Sequence, residues 1–307
     1  MMTIDTKKIL SKAINLAEKN NDGMPAGYIP QLAEMDANLL GMTVNTMAGE
    51  TYSVGNVKEQ LFTLQSVSKL VVLIGMLEEQ GADNVFSWVL TEPSGDDFAS
   101  VARLDQFGPH PSNPMLNAGA ITLCSHIEGD AVARQQWLER WMATLFGAKL
   151  NLNASVFLSE KESGDRNRAL TYLLKDNHMI AGDVNQVLET YFRLCSFEVS
   201  MSQAAYLPTL LANGGQSPSG EQIISTATVE QVVALMATCG LYNESGEHLV
   251  KTGMPAKSGV SGLIIAVAPG KAGVAVFSPR VNLKGTSIRA EIMLEYVSKQ
   301  MGWHFAS

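Results

Sequence analysis

Ser66 and Lys69 stand three residues apart near the start of the apolar run 64–77, and this pair is the first place in the chain to look for chemistry. On a helix, positions i and i+3 share one face, so the amine of Lys69 can reach the hydroxyl of Ser66 and take its proton. That is the arrangement of a serine nucleophile with a lysine base. A lysine in the first turn meets the positive end of the helix macrodipole, and apolar neighbours add a desolvation cost. Both disfavour the ammonium form, which makes the amine a usable base near neutral pH. A capping serine and a lysine that snorkels to water would give the same spelling. The pair therefore needs partners elsewhere in the chain.

Three further segments have the character of site loops. The first runs Gly108-Pro109-His110-Pro111-Ser112-Asn113-Pro114-Met115-Leu116-Asn117-Ala118-Gly119-Ala120-Ile121. A turn at Asn113-Pro114 and a helix N-cap at Asn117 would account for it structurally. The second is Phe157-Leu158-Ser159-Glu160, with Arg166-Asn167 six residues on, and a solvated loop would account for it equally. The third is Met254-Pro255-Ala256-Lys257-Ser258-Gly259-Val260-Ser261-Gly262. Small residues there let the backbone approach a ligand and aim N–H groups at it, although a turn into a strand would need them too.

Regular elements must hold these segments. An amphipathic pattern through Ile9, Ile14 and Leu16 predicts an N-terminal helix, followed by a loop over 23–30. Segments 41–47 and 51–54 flank Ala48-Gly49-Glu50 as a hairpin, and 261–268 and 273–278 flank Pro269-Gly270 as a clearer one. Helical periodicity marks 131–146, 184–197, 202–211, 228–239 and 287–301. Pairing the early and late hairpins in one antiparallel sheet, flanked by the terminal helices, predicts an α/β fold of the α+β kind. Residues 1–70 and 250–307 would form a discontinuous sheet lobe, and 71–249 a mainly helical lobe. The site would lie in the cleft of one catalytic unit, with Ser66 at the crossing point.

Composition narrows the function. The 307 residues are 46% hydrophobic and 17% charged, enough for one large domain or two tightly packed lobes. No stretch reaches the roughly 20 apolar residues of a membrane span. A net charge of −8 with scattered lysines and arginines argues against nucleic acid and anionic membranes as partners. The first 25 residues carry no apolar signal region, so a cytoplasmic location is expected. Cys124, Cys195 and Cys239 sit among apolar neighbours and read as reduced core residues. The five histidines make no ligand spacing, so neither a metal nor any other cofactor is expected.

Ser66-Val67-Ser68-Lys69 together with Lys257-Ser258-Gly259 resembles the S-x-x-K and K-[ST]-G elements of serine β-lactamases and penicillin-binding proteins. A closer resemblance is to the glutaminases. It rests on Tyr28-Ile29-Pro30-Gln31-Leu32, Phe62-Thr63-Leu64-Gln65-Ser66, Glu92-Pro93-Ser94-Gly95, Asn113 to Ile121, Ser159-Glu160, Arg166-Asn167, Tyr191, Cys239-Gly240-Leu241-Tyr242 and Pro255 to Gly262. These motifs stand in the family's order over about 28–290, and an ordered set is far more specific than any one of them.

The resemblance implies a β-lactamase/transpeptidase-like fold and hydrolysis of L-glutamine to L-glutamate and ammonia, in a homo-oligomer that is a dimer or a tetramer. Carried over by position, Ser66 is the nucleophile and Lys69 its base, with Tyr242 and Tyr28 beside the reacting amide. Gln65, Asn117, Glu160, Asn167 and Tyr191 line the substrate pocket, and the backbone N–H groups of Ser66 and Val260 make the oxyanion hole. A free amino acid brings an ammonium and a carboxylate that must be paired when buried. Glu160 suits the ammonium, while Asn117, Asn167 and the tyrosines suit the carboxylate. The chain departs from the family pattern at Thr286, where an asparagine is usual, and at Ala290, where a glycine is usual. Lys257 stays open between electrostatic, structural and proton-transfer roles. A different serine amidase or esterase of the penicillin-recognising fold is the competing enzyme. A noncatalytic amino-acid sensor is the competing binder, although a binder has no need of a nucleophile.

Overall fold

The early hairpin and the late hairpin, more than 200 residues apart in sequence, share one sheet. The computed structural model describes residues 5–58, 60–94 and 108–307. Gly95, the last residue of the Glu92 motif, lies outside them. The strands are β1 (Gly41–Thr46), β2 (Thr51–Gly55), β3 (Phe62–Thr63), β4 (Asn151–Leu152), β5 (Phe197–Val199), β6 (Ala256–Ser258), β7 (Leu263–Ala268) and β8 (Ala272–Phe277). The main sheet runs β2-β1-β8-β7-β6 and every pairing in it is antiparallel. Met42 faces Val276 across the β1–β8 seam, so the two hairpins are joined in a fixed register.

Every residue of β7 and β8 is buried, which follows from helices on both faces. Ala272, Val274 and Val276 pack with Leu10, Ala13 and Ile14 of the Thr6–Ala17 helix and with Met293, Leu294 and Val297 of the Ile288–Met301 helix. Ala275 and Phe277, pointing the other way, join the large core beneath the remaining helices. There the Met201–Ala212 helix lies directly on the sheet: a Cβ at Gly273 would come within 2.2 Å of Thr209 N. Only a residue without a side chain permits that approach.

Several expected elements differ in detail. In the first helix Leu10 and Ala13 carry the buried face, while Leu16 is exposed. The predicted helix over 184–197 ends at Cys195, and Phe197–Val199 instead becomes the middle strand of a small sheet β3-β5-β4. Phe197 and Val199 alternate with Glu198, but three residues are too few for a period-two pattern to register in the sequence. That sheet matters because β3 feeds the turn carrying Ser66. Cys124, Cys195 and Cys239 are buried free thiols, as expected. Among the described residues no helix is long and apolar enough to cross a membrane.

Candidate active site

The Ser66 turn is held open by its neighbours. Leu64 N donates to Phe197 O, anchoring the chain to the small sheet, and Gln65 then takes a φ of +48°. A left-handed non-glycine residue costs on the order of 1 kcal/mol and is kept where surrounding contacts fix it. Gln65–Ser68 form a 3-10 turn, Ser68 Oγ bonds back to Gln65 O at 2.7 Å, and the α-helix proper starts at Lys69. Ser66 alone of this turn is only half-buried. Gly259 closes in from the sheet edge, where a Cβ would lie 2.7 Å from Leu64 O.

The Ser66 hydroxyl opens on a cavity of about 330 Å³ lined by nine of the ten expected residues: Tyr28, Gln65, Ser66, Asn117, Glu160, Asn167, Tyr191, Tyr242 and Val260. The tenth, Lys69, lies beneath the floor, fully buried. Its Nζ donates to Met115 O at 3.0 Å and Asn117 Oδ1 at 2.6 Å, and stands 3.4 Å from Tyr242 Oη. The expected direct contact with Ser66 is not among its hydrogen bonds in the described residues. Its amine is turned instead toward the start of the Asn117 helix, where Met115 O and Asn117 Oδ1 take it up. Burial lowers the Lys69 pKa to about 7, since desolvation penalises the ammonium.

Tyr242 stands between two amines, with Lys69 Nζ 5.3 Å and Lys257 Nζ 4.3 Å from its ring centroid. It too has a left-handed backbone, at φ +55°. Lys257 is completely buried and donates to Gly240 O at 3.0 Å and Ser258 O at 2.7 Å, tying the Tyr242 turn to β6. Burial, and next the like charge of Lys69, hold the Lys257 pKa well below its usual value.

Glu160, on the Ala154–Ser163 helix, lines the same cavity and is 7% exposed. Burial raises its pKa against the opposing hydrogen bonds of Tyr28 and Gln65. The Tyr28 hydroxyl lies 2.6 Å from Glu160 Oε1 and 2.7 Å from Gln65 Oε1. A hydroxyl has one proton, and the carboxylate is the stronger acceptor. The hydrogen bonds of Tyr28, the residue expected beside the reacting amide, run to Gln65 and Glu160 in the same cavity. Asn117, expected in the substrate pocket, lines the cavity as the first helical residue after Leu116 and not as a cap, and its amide links Lys69 to Asn167.

Ser163, Gly164, Cys195, Lys284 and Gly285 also stand on the cavity wall without a sequence signal for a site, and Arg166, part of a site-loop motif, joins them there. Cys195 was read as core, which it also is; burial pushes its thiol up to about 12, so it is no nucleophile at neutral pH. Lys284 and Gly285 directly precede Thr286, one of the two departures from the family pattern, in a turn where Gly285 N donates to Asn282 O.

A half-buried serine and a buried carboxylate lining one cavity, with a neutralisable lysine beneath its floor, suit an amidohydrolase of amino acids. The glutaminase family model matches residues 23–305. The chain belongs to the glutaminase family. It is 56% identical over 302 residues to the glutaminase of Legionella pneumophila subsp. pneumophila strain Philadelphia 1, covering 98% of this chain and 97% of that one. The glutaminase of Clostridium botulinum strain Loch Maree is 41% identical over 92% of this chain and 93% of its own. Among solved structures, the probable glutaminase ybaS superposes with a TM-score of 0.92 at 33% identity, covering 97% and 96% of the two chains. The Bacillus subtilis glutaminase YbgJ, in covalent complex with 5-oxo-L-norleucine formed from 6-diazo-5-oxo-L-norleucine, gives a TM-score of 0.86 at 31% identity over 98% of each chain. The β-lactamase-like fold expected from the sequence is therefore the fold of this chain, and the expected family is its family.

Proposed function

We propose that this protein hydrolyses L-glutamine to L-glutamate and ammonia through an acyl-enzyme on Ser66. The observation that carries the proposal is the make-up of the cavity: an accessible serine hydroxyl and a buried carboxylate line the same space, with a buried amine of pKa about 7 beneath its floor. The relative YbgJ supports it, because a covalent adduct with an amino-acid ketone requires a nucleophile facing such a pocket.

In this reading Ser66 Oγ attacks the side-chain amide carbon and its proton passes to neutral Lys69. Tyr242, at the cavity wall and 3.4 Å from Nζ, carries that proton between them. Two of the amine hydrogens are taken by Met115 O and Asn117 Oδ1, which leaves the lone pair free to receive it. The tetrahedral oxyanion is met by the N–H groups of Ser66 and Val260, neither of which donates to a backbone carbonyl among the described residues. Collapse expels ammonia with the proton returned from Lys69 and leaves a glutamyl ester. Water, deprotonated by the same pair, attacks the ester carbon; collapse breaks the bond to Ser66 Oγ, which takes the proton back from Lys69, and glutamate leaves. Glu160 pairs the substrate ammonium, while Asn167 and Tyr191 take the carboxylate end. The resemblance to the family extends the proposal to a cytoplasmic homo-oligomer that uses no cofactor.

Ammonia release from L-glutamine by wild type and Ser66→Ala, with L-asparagine and nitrocefin alongside, tests the reaction. Glutamine turnover that vanishes in the variant is the expected result. Turnover of nitrocefin in its place would make the protein a different amidase of the same fold, and turnover that survives in Ser66→Ala would remove the nucleophile.

A further inference from the structure

Tyr28 reaches the cavity from a segment with little regular structure of its own. Between the end of the first helix at Ala17 and the start of β1 at Gly41 there is one short helix, Pro30–Ala33, and a small apolar cluster of Ile29 and Leu32 with Val156. That is thin support for a side chain that must meet Glu160 and Gln65 within hydrogen-bond distance.

Two arginines supply the rest. Arg289, 3% exposed, donates through Nε to Asn20 O at 2.8 Å, through Nη1 to Ala37 O at 3.3 Å, and through Nη2 to Glu18 O at 3.5 Å and Asn21 Oδ1 at 3.2 Å. Arg280 Nη1 donates to Asn21 O at 2.8 Å and Gly23 O at 2.9 Å. Because Glu18 and Ala37 meet on one guanidinium, Arg289 closes the base of a loop over 18–37 that carries Tyr28 midway. A bridge between Met24 and Val281 runs alongside, and Gly23, at φ +76°, has no room for a Cβ, which would sit 2.6 Å from Val281 O.

The placement of Arg289 is costly by every local rule. It is the second residue of the Ile288–Met301 helix, where the macrodipole disfavours a cation. Its partners are carbonyl and amide oxygens, without an ion pair to a carboxylate among the described residues, and burial followed by the like charge of Arg280 lowers its pKa. A planar guanidinium with five donors can hold several carbonyls in one geometry, which no other side chain does. A local conflict kept in a well-packed place marks a requirement elsewhere.

We propose that Arg289, assisted by Arg280, is a positioning residue for glutamine turnover, closing the 18–37 loop so that Tyr28 is fixed against Glu160 on the ammonium side of the cavity. The proposal rests on the glutaminase reading of the site. Arg289→Lys keeps the charge and loses the fork. It should raise the KM for glutamine on the order of tenfold while changing kcat little, because what is lost is the placing of a binding wall. Tyr28→Phe should then cost much less in the Arg289→Lys background than in wild type. Hydrogen exchange gives a readout independent of turnover: amides over 20–36 should exchange faster in Arg289→Lys while those of β1, β7 and β8 stay as in wild type. Unchanged exchange over 20–36, or effects of Arg289→Lys and Tyr28→Phe that multiply independently, would overturn the proposal. Should Arg289→Lys fail to fold, Arg280→Gln removes only the Asn21 and Gly23 bonds and is read by the same two measurements. A wild type inactive on glutamine would defeat the functional reading, and the exchange result would still decide the clamp.

Discussion

Lys69 Nζ lies 2.6 Å from Asn117 Oδ1, and this one bond orients the amide chain beyond it. Lys69 donates to that oxygen, which leaves the Asn117 nitrogen to point elsewhere. That nitrogen donates to Asn167 Oδ1 at 2.9 Å. With its oxygen engaged, Asn167 has its own NH₂ left for the cavity. Lys69 thus sets the polarity of a residue that would otherwise be free to flip.

Asn167→Asp follows directly. The substitution is isosteric, keeps the acceptor for Asn117, and turns the group facing the cavity from a donor into an anion. A substrate carboxylate would be repelled there, so the KM for glutamine should rise about 100-fold with a smaller effect on kcat. Steady-state kinetics at saturating glutamine separate the two. An unchanged KM would place the carboxylate end elsewhere.

The pH profile should report Lys69. The base must be neutral to accept a proton, and its pKa is lowered to about 7 by burial. Activity is therefore present above that value and lost as pH falls through it, with kcat/KM declining about tenfold per unit below the limb. Glu160 acts in the same direction, because its raised pKa means that the carboxylate needed for the substrate ammonium is also lost on acidification. A profile flat down to pH 5 would remove Lys69 as base.

Much of this was legible in the sequence because the signals were local. The β7–β8 hairpin is spelled by two apolar runs around Pro269-Gly270, and Ser66 is spelled by its spacing to Lys69 and its place before an apolar run. What escaped depends on contacts between distant segments. Burial of Lys69 depends on Met115 and Asn117, some 50 residues away, so its turn from Ser66 toward Asn117 could not be read from an i, i+3 rule. The Asn117–Ser125 helix is buried on every side and so shows no amphipathic face. Tyr28 joins Glu160 across 132 residues, a pairing no local pattern encodes.

Tyr242→Phe isolates the hydroxyl while keeping the ring between the two lysines. If that hydroxyl carries the proton between Ser66 and Lys69, kcat should fall on the order of 100-fold with KM nearly unchanged. The loss should be smaller than in Ser66→Ala, since Lys69 can still be reached through water. Equal kcat in the variant and wild type would take Tyr242 out of proton transfer.

Glu160→Gln keeps the size of the side chain and its hydrogen bond with Tyr28, and removes the charge that matches an ammonium. Loss of a charge-assisted bond in a buried site costs about 1.5–3 kcal/mol, so kcat/KM for glutamine should fall roughly 10- to 150-fold. Simple amides without an α-ammonium should lose nothing. A proportional loss on both substrates would mean that Glu160 shapes the pocket instead of reading the amino acid.

The seam between the Met201–Ala212 helix and β8 gives a prediction about stability alone. At Gly273 a Cβ would stand 2.2 Å from Thr209 N and 2.5 Å from the Pro208 carbonyl carbon, so the obstacle is backbone on both counts. A flexible side chain could move aside, whereas a helix seated on the central strand can only lift. Gly273→Val should therefore destabilise the protein by about 3 kcal/mol or more, read as a lower midpoint in thermal or urea unfolding. The same substitution at Gly49, where a Cβ meets nothing within 4 Å but φ is +83°, tests conformational strain without the clash and should cost about 1 kcal/mol. A loss at Gly273 no larger than at Gly49 would show that the approach of helix to strand does not require glycine in β8.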